Sequence, residues 1–486
     1  MMATSLASMA PKALLLLGFG LGSLPATTAQ RHSPYQIDTR EHIVESARTL
    51  AYDLMTYYKG NQTGKIPGLL PGPPTSKQGD YWWWQGGALM ATFVDYWKLT
   101  GDNSYNQVVT EGLLWQAGED GDFQPLNQTA TMGNDEQCFW ANTAMLAAEN
   151  GFPNPPQGKP QWIDLSKTVF EYMTRRRSLE KTCGGDGLRW QIPLINAGYD
   201  YKNTVSNACY FNLAARLALY TGNSTYSDAA TSVFKWLEDV GFVTKDFAVY
   251  DGAHTGTNCT DINKAQFSLN AAYLTEGAAF MYNATNGQNT LWKDRLSGLT
   301  TATLSTFFPK DVATEIACES RSTCTTDMLM YKGFLHSWLS VAAKLAPQHA
   351  AKILGVLNTS ATAAVYQCLG GPEGTTKRQC GFYWSKGSFY TPPGTSSTGT
   401  GAGEQMNVLN AVQSLLMEGS GKLATQASPA IDGSGGKSSS ADTTGTSTSS
   451  TTSAAPTSDA SRETRSVGVV VALVSGLGLF MGLLMS

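Results

Sequence analysis

The 486-residue sequence lacks the local motifs of several large enzyme classes. It contains no GxSxG nucleophile elbow, no HExxH zinc-binding pair and no Walker loop for nucleotide phosphates. Its five histidines are scattered and no CxxC pair occurs, so we predict neither a metal site nor a cofactor. Charged residues are sparse and the net charge is −4, which argues against a nucleic-acid partner.

Residues 1–29 have the pattern of a secretory signal peptide. A single lysine precedes an apolar stretch from Ala13 to Leu24, and small residues follow at 26–29. This order is typical of a cleaved targeting segment rather than of folded structure. We therefore expect the mature chain to be secreted.

The other end of the chain has the layout of a GPI-attachment signal. Residues 426–453 form a Ser/Thr-rich stretch that we predict to be a disordered stalk. The small residues 453–455 are followed by a short spacer and by an apolar tail from Val467 to Met485. We predict that lipid attaches at Ser453 and that residues 454–486 are removed. A retained membrane span is the alternative, although no basic residue follows the tail to stop its transfer.

The cysteines and glycosylation sequons agree with a secreted domain. All eight cysteines lie between the two ends, and we predict three disulfides: Cys318–Cys324, Cys368–Cys380 and Cys183–Cys259. Cys138 and Cys209 lie in helix-like runs, and we expect them to be buried thiols. Six sequons predict N-glycosylation on surface loops, at Asn61, Asn127, Asn223, Asn258, Asn283 and Asn358.

Region 30–425 is predicted to be one all-α domain, because a pair of helices recurs six times along it. Amphipathic segments with a charged face occupy 38–58, 103–116, 162–177, 226–239, 291–307 and 347–366. They alternate with apolar runs rich in small residues, which start at Gly86, Asp135, Asn207, Gln266, Tyr331 and Gly403. Amphipathic helices suit an outer layer and uniformly apolar helices a buried one. We predict an (α/α)6 toroid of six inner and six outer helices, with the basic run 175–177 at the solvated end of an outer helix.

If the inner helices are parallel, the segments that precede them meet at one end of the toroid. These segments combine aromatic side chains with Asp, Asn and Lys, and this combination suits a sugar. The candidate substrate-binding residues are Trp82, Trp83, Trp84, Trp140, Trp190, Lys202, Asn203, Asn207, Asp251, Asp327 and Lys332. For the three consecutive tryptophans, packing in the core is the alternative interpretation.

Two adjacent acids, Asp135 and Glu136, stand at the start of the second inner helix. One interpretation is structural: Asn134 caps the helix, Gln137 completes a capping box, and the acids only complement the helix dipole. The other is catalytic, because a helix N-terminus keeps one carboxylate ionised while repulsion keeps its neighbour protonated. Retaining glycosidases need this division of labour. The residues alone leave both interpretations open.

Four stretches carry a resemblance to a known family: "GDYWWWQGGALMATFVDYW", "GNDEQCFWANTAMLAAENGFP", "NTVSNACYFNLAARLALYTGN" and "YKGFLHSWL". Over residues 40–417 the chain resembles glycoside hydrolase family 76, the endo-α-1,6-mannanase family. The resemblance implies an (α/α)6 fold and a retaining mechanism, with Asp135 as nucleophile and Glu136 as acid/base. The family pattern has two aspartates, so Glu136 departs from it with a longer side chain.

The two chain ends resemble the fungal cell-wall branch of this family. That resemblance implies an enzyme at the outer face of the plasma membrane and in the cell wall, attached through a GPI anchor. It would cleave the mannose-containing core glycan of GPI-anchored proteins and transfer them to β-glucan of the wall. A hydrolytic mannan endo-1,6-α-mannosidase is the alternative, and a non-catalytic mannan-binding wall protein is a second one.

Overall fold

The computed structural model describes residues 33–370, 378–392 and 399–428. The predicted signal peptide, the predicted lipid site Ser453, residues 429–453 of the stalk and the GPI-attachment signal lie outside these ranges. Within the ranges, no helix is both long and apolar enough to cross a bilayer.

The described part of the chain contains twelve α-helices. In chain order they are α1 (Arg40–Met55), α2 (Trp83–Thr100), α3 (Asn106–Gln116), α4 (Asn134–Asn150), α5 (Trp162–Leu179), α6 (Thr204–Thr221), α7 (Ser224–Asp239), α8 (Ser268–Ala284), α9 (Thr290–Phe307), α10 (Tyr331–Leu345), α11 (Pro347–Val365) and α12 (Ala402–Gln413).

The even-numbered helices form a closed inner ring. Each packs against the next even-numbered helix, and α12 closes the ring by packing on α2. Helices α3, α5, α7, α9 and α11 each lie outside the inner helix that precedes them in the chain, and α1 packs on α12. This arrangement is the predicted (α/α)6 toroid, and the fold prediction is confirmed.

Residue size and polarity explain the two layers. Nearly every position of α6 from Thr204 to Ala218 is buried, whereas α7 buries one stripe that includes Tyr226, Val233 and Leu237. Small residues let the inner helices approach closely. A β-carbon on Gly277 of α8, for example, would lie 2.5 Å from the ring of Phe211 on α6.

Five short strands form two antiparallel sheets in the described ranges. Strands β1 (Tyr201–Asn203), β2 (Gly252–His254) and β3 (Ile262–Asn263) pair in that order, with Lys202 opposite Ala253. Strands β4 (Cys368–Leu369) and β5 (Gln379–Cys380) form the second sheet. The first sheet precedes α6 and α8, so it lies at the end of the ring where those helices begin.

All eight cysteines form disulfides. The three predicted pairs are present, together with a fourth, Cys138–Cys209. The expectation of buried thiols at these two positions was wrong. Both residues do lie on inner helices, but α4 and α6 are neighbours in the ring and bring the two Cα atoms to 6.1 Å.

The six sequons differ in their surroundings. Asn61, Asn127, Asn223 and Asn258 are exposed outside the interior of any helix. Asn358, by contrast, is exposed on the outer helix α11, and Asn283 lies in the last turn of α8. Asn283 is half-buried, and its amide nitrogen donates a hydrogen bond of 3.2 Å to the carbonyl of Leu345. These two sites do not lie on loops as predicted.

Candidate active site

A cleft of about 640 Å³ opens where the inner helices begin. Residues at the starts of α2, α4, α6, α8 and α10 contribute to its walls, so the predicted parallel arrangement brings those segments together. Of the described residues that connect α11 to α12 (366–370, 378–392 and 399–401), none lines the cleft. The described residues also contain no cluster of three His, Cys, Asp or Glu side chains that could hold a metal ion.

Asp135 lies in the first turn of α4 and faces this cleft. Its Oδ2 accepts a hydrogen bond of 3.0 Å from the indole N–H of Trp190, and its Oδ1 accepts one of 3.0 Å from the backbone N–H of Glu136. Both donors, together with the positive end of the helix dipole, stabilise the ionised form of the carboxyl.

Glu136 also lines the cleft, and it belongs to a capping box. Its Oε2 accepts a hydrogen bond of 2.9 Å from the backbone N–H of Gly133, which is the N-cap residue of α4. The predicted cap at Asn134 was therefore wrong by one position. Asn134 is already helical, and its side-chain amide donates to the carbonyl of Arg189 at 2.9 Å.

The basic run 175–177 supports the start of α4 instead of lying in solvent. Only Arg175 is exposed. Arg176 donates hydrogen bonds to the side-chain oxygens of Asn134 and Gln137, and Arg177 is buried against Asp186 with a 2.9 Å ion pair. The run ends the outer helix α5, which packs on α4, so its side chains reach the polar start of the inner helix.

The pKa values of both acids are raised. Burial first, and then the charge of Asp135, raise the pKa of Glu136 to about 8. Burial also raises the pKa of Asp135, to about 7, while hydrogen bonds from the backbone and from Trp190 act in the opposite direction. Asp135 accepts two hydrogen bonds and Glu136 accepts one, and this difference favours ionisation of Asp135 over ionisation of Glu136.

Two further carboxyls line the cleft. Asp327 Oδ1 accepts a hydrogen bond of 2.8 Å from the indole N–H of Trp84. Asp251 Oδ2 accepts two, from the Tyr201 hydroxyl at 2.8 Å and from the Asn263 amide at 3.0 Å. Burial raises the pKa of both aspartates.

The structure places six of the eleven candidate substrate-binding residues in the cleft wall: Trp82, Trp84, Trp190, Asn203, Asp251 and Asp327. The other five lie behind it. Trp83 stacks on Trp140 with 5.6 Å between ring centroids, and Trp140 also stacks on Phe123. The core-packing alternative therefore holds for Trp83, the middle residue of the triplet.

The two lysines and Asn207 are also buried away from the cleft. Lys202 donates to the carbonyl of Thr182 at 2.9 Å and forms a 3.5 Å ion pair with Glu180. Lys332 forms a 2.6 Å ion pair with Glu319. The Asn207 amide exchanges hydrogen bonds with the backbone of Leu188, which fixes the segment that carries Trp190.

Several residues of the cleft wall were not among the sequence candidates. They include Phe139, Gln191, Tyr201, Phe267, Asn270, Tyr273 and Tyr331. The spacing of residues along a helix could have identified some of them. Phe139 lies one turn after Asp135, and Asn270 and Tyr273 lie three residues apart on the first turns of α8.

Comparison with known proteins agrees with this geometry. The sequence pattern of glycosyl hydrolase family 76 matches residues 42–427. Mannan endo-1,6-alpha-mannosidase DCW1 of Saccharomyces cerevisiae is 40% identical over 391 residues, which cover 80% of this chain and 82% of that protein.

This chain is also similar to solved structures. Dfg5 from Chaetomium thermophilum, determined in complex with glucosamine, is 55% identical with a TM-score of 0.78, and the match covers 82% of this chain and 95% of that one. The alpha-1,6-mannanase GH76A of Salegentibacter sp. HEL1_6, in an inactive form with alpha-1,6-mannotriose, is 15% identical with a TM-score of 0.60. It covers 77% of this chain and 100% of that one, and at this identity it shows the fold alone.

Proposed function

The chain belongs to glycosyl hydrolase family 76 and is a glycoside hydrolase, and from this membership we propose that it is a retaining α-mannosidase-type transglycosidase. Its donor would be the mannose-containing core glycan of GPI-anchored proteins and its acceptor β-glucan of the cell wall. Asp135 and Glu136 face one cleft but accept hydrogen bonds from different donors, two at Asp135 and one at Glu136, and this difference is the main support for the mechanism.

Asp135 is the nucleophile in this proposal. Its two hydrogen bonds and its place on the first turn of α4 favour the carboxylate over the neutral acid. The carboxylate attacks the anomeric carbon of the mannosyl unit while the bond to the leaving oxygen breaks. The product of this step is a mannosyl ester of Asp135, as in other retaining glycosidases.

Glu136 is the acid/base. The backbone N–H of Gly133 fixes Oε2 as a hydrogen-bond acceptor, which leaves Oε1 to carry the proton. That proton passes to the leaving oxygen in the first step. In the second step the Glu136 carboxylate takes a proton from the incoming hydroxyl as that hydroxyl attacks the ester. Water at this position gives hydrolysis, and a sugar hydroxyl gives transfer.

The comparisons support a mannose-containing donor. The Saccharomyces cerevisiae relative is named as a mannan endo-1,6-alpha-mannosidase, and the Chaetomium thermophilum relative holds glucosamine. A mannosyl unit linked to glucosamine combines both sugars, and the core glycan of a GPI anchor contains such a unit. The aromatic side chains in the cleft, including Trp82, Trp84 and Trp190, supply faces on which sugar rings can stack.

The experiment is a product analysis. The purified protein is incubated with a mannosyl-glucosamine donor, with and without a β-glucan oligosaccharide. We expect a new mannosyl–glucan product with retained anomeric configuration by NMR. Free mannose alone, at equal rates with and without glucan, would favour the hydrolytic mannan endo-1,6-α-mannosidase. Binding of mannan without cleavage of any donor would favour the non-catalytic wall protein.

We also propose that the enzyme is secreted and held at the outer face of the plasma membrane by a GPI anchor at Ser453. The support is the order of segments at the two chain ends. A GPI-specific phospholipase should release the protein from membranes. Retention after this treatment would favour a membrane span at 467–485.

A further inference from the structure

A second groove lies on the outer wall of the toroid, outside the active-site cleft. Its volume is about 600 Å³, and we call it the outer groove. One side is the surface of α9 from Asp294 to Thr306, and the other is the turn at 245–248, which lies between α7 and β2. Gln266, which precedes α8, completes the lining. The α9 side alone is about 18 Å long, at a rise of about 1.5 Å per residue.

Two segments of the chain run from the outer groove into the cleft. Gln266 lines the groove, and Phe267, the next residue, lines the cleft. Ala248 lines the groove, and Asp251, three residues further on, lines the cleft. Gln266 and Phe267 are both partly exposed, so the boundary between the two cavities lies at the surface. A chain molecule that extends out of the cleft over this rim would enter the outer groove.

The turn that forms one side of the outer groove is fixed in place. An antiparallel bridge between Val243 and Val249 closes its base, and the backbone N–H of Phe247 donates to the carbonyl of Thr244 at 3.0 Å. Phe247 has a φ of 60°, a left-handed conformation that is uncommon for an aromatic residue. Its ring lies against α9 at Gly298, where a β-carbon would overlap the ring. Such strained residues persist only where their surroundings enforce them, and they cluster at functional sites.

The lining of the outer groove suits a neutral glycan. It offers an amide, a partly exposed aromatic ring and four hydroxyl groups on α9, from Ser297, Thr301, Ser305 and Thr306. Hydroxyls, amides and carboxylates match the donors and acceptors of sugar hydroxyls. The charged residues are one lysine and two aspartates, so no excess of positive charge is present to hold a phosphate group or a nucleic acid. A protein interface would have a core depleted of charged residues, and this polar lining lacks one.

We propose that the outer groove binds a neutral glycan chain that continues from the sugars held in the cleft. This inference rests on the proposed active site and extends its substrate from a short glycan to a polymer. The chain is mannan on the donor side or β-glucan on the acceptor side, and both carry the hydroxyl groups that the groove matches. The outer groove takes no part in bond cleavage and raises the affinity for long chains over short ones.

The test compares the binding of short and long oligosaccharides, from α-1,6-mannan in one series and from β-glucan in the other. Calorimetry on the Asp135→Asn variant keeps the chains intact during the measurement. We expect the long chain of one series to bind about tenfold more tightly than the short one, as a few additional hydrogen bonds predict. The series that shows this gain identifies the chain that the outer groove holds.

Substitutions in the outer groove are introduced into the same Asp135→Asn background. Thr301→Arg should abolish the gain, because the long side chain fills the groove from an exposed position of α9, and arginine is a good helix former. Phe247→Gly is a second variant, because glycine adopts the positive φ without strain and removes the ring. The matched control Thr359→Arg changes an exposed threonine of the outer helix α11 and should keep the gain.

Equal affinities for short and long chains in both series, or an unchanged gain in both Thr301→Arg and Phe247→Gly, would overturn the assignment of the outer groove and leave the proposed function standing. Failure of transfer in the product analysis would remove the proposed function alone, because the binding comparison does not depend on turnover.

Discussion

The indole N–H of Trp190 donates a hydrogen bond of 3.0 Å to Oδ2 of Asp135, across 55 positions of sequence. An antiparallel bridge between Gly133 and Gln191 holds the two segments together, and the carbonyl of Trp190 accepts from the backbone N–H of Asn134 at 2.8 Å. The tryptophan therefore has two connections to the start of α4. One of them acts directly on the carboxyl that the proposed mechanism uses as nucleophile.

Replacing this tryptophan should change the pH dependence of activity. The Trp190 hydrogen bond lowers the pKa of Asp135, so Trp190→Phe should raise that pKa. The acidic limb of the kcat/KM profile reports ionisation of Asp135 and should move to higher pH, whereas the alkaline limb should stay in place. A pH profile of the parent and the variant measures both. Equal shifts of both limbs, or none, would show that the hydrogen bond does not tune Asp135.

The two acids should differ in their response to amide substitution. Asp135→Asn removes the nucleophile, so activity should be lost on every donor. Glu136→Gln removes the proton donor, and turnover of natural glycan should fall by about 10²–10⁴-fold. An aryl mannoside with an activated leaving group needs no protonation in the first step, and Glu136→Gln should form the mannosyl ester from it.

Melting temperature serves as the control for this pair. Glutamine can replace glutamate in a capping box, so Glu136→Gln should keep the start of α4 and the melting temperature. If both variants cleave natural donors within a few-fold of the parent, the acids only cap the helix and the catalytic assignment is wrong.

Arg216 should be essential for stability because it is a buried cation that pairs with the buried Glu149 carboxylate. It is 3% exposed and forms hydrogen bonds of 2.7, 3.0 and 3.2 Å with the Glu149 carboxylate. Arg216→Met leaves that carboxylate unpaired, with an expected loss of about 3–5 kcal/mol in the free energy of unfolding. Denaturant unfolding measures it, with exposed Arg175→Met as a neutral control. The prediction would be contradicted if the loss in Arg216→Met exceeded the loss in the control variant by less than about 1 kcal/mol.

Glu276 should make the protein less stable as the pH rises. Burial raises its pKa to about 8, above the value of about 4.3 in an unfolded chain. The folded state therefore holds a proton that the unfolded chain has released, and stability falls as the pH rises from about 4.3 through 8. Glu276→Gln should lose less melting temperature between pH 5 and pH 8 than the parent does. Exposed Glu171→Gln should follow the parent, and parallel curves for all three proteins would rule out this role.

Asn283 should remain unglycosylated or be glycosylated to a low extent. Its amide nitrogen, the atom that would carry a glycan, donates to the Leu345 carbonyl at 3.2 Å. Asn61 is exposed and should be occupied. Mass spectrometry of peptides from protein secreted by a eukaryotic host gives both occupancies, and full occupancy of Asn283 would show that glycosylation precedes the folding of α8.

The helix pattern could be predicted because burial leaves a periodic signature in composition. The direction of individual side chains could not. Tyr201 and Asn203 line the cleft while Lys202 between them does not, as the alternation of a strand requires. Strand β1 was not predicted from the sequence, so Lys202 was placed in the cleft together with Asn203. On an α-helix, consecutive side chains point about 100° apart. Lys332 follows Tyr331 on α10, and its side chain therefore points away from the cleft and pairs with Glu319.

The contact between α4 and α6, which are distant in sequence, could not be predicted from the local sequence either. Cys138 and Cys209 are 71 residues apart, and only the ring order of α4 and α6 brings them together. The same disulfide joins the two inner helices two residues beyond Glu136 and six beyond Asn203, and both of these residues line the cleft. Local sequence describes each helix but contains no information about which faces meet.

Helix α12 closes the inner ring by packing on α2, and it also contacts α1, so the last helix of the domain completes the ring. The ion pair of Asp53 with Arg378, at 2.7 Å, also joins residues that are 325 positions apart. Contacts with such long sequence separation carry a large loop-closure entropy and slow down folding. A ribosome must therefore finish α12 before α1 and α2 can bury their remaining apolar faces, and the nascent chain presents an open arc of helices to chaperones until then.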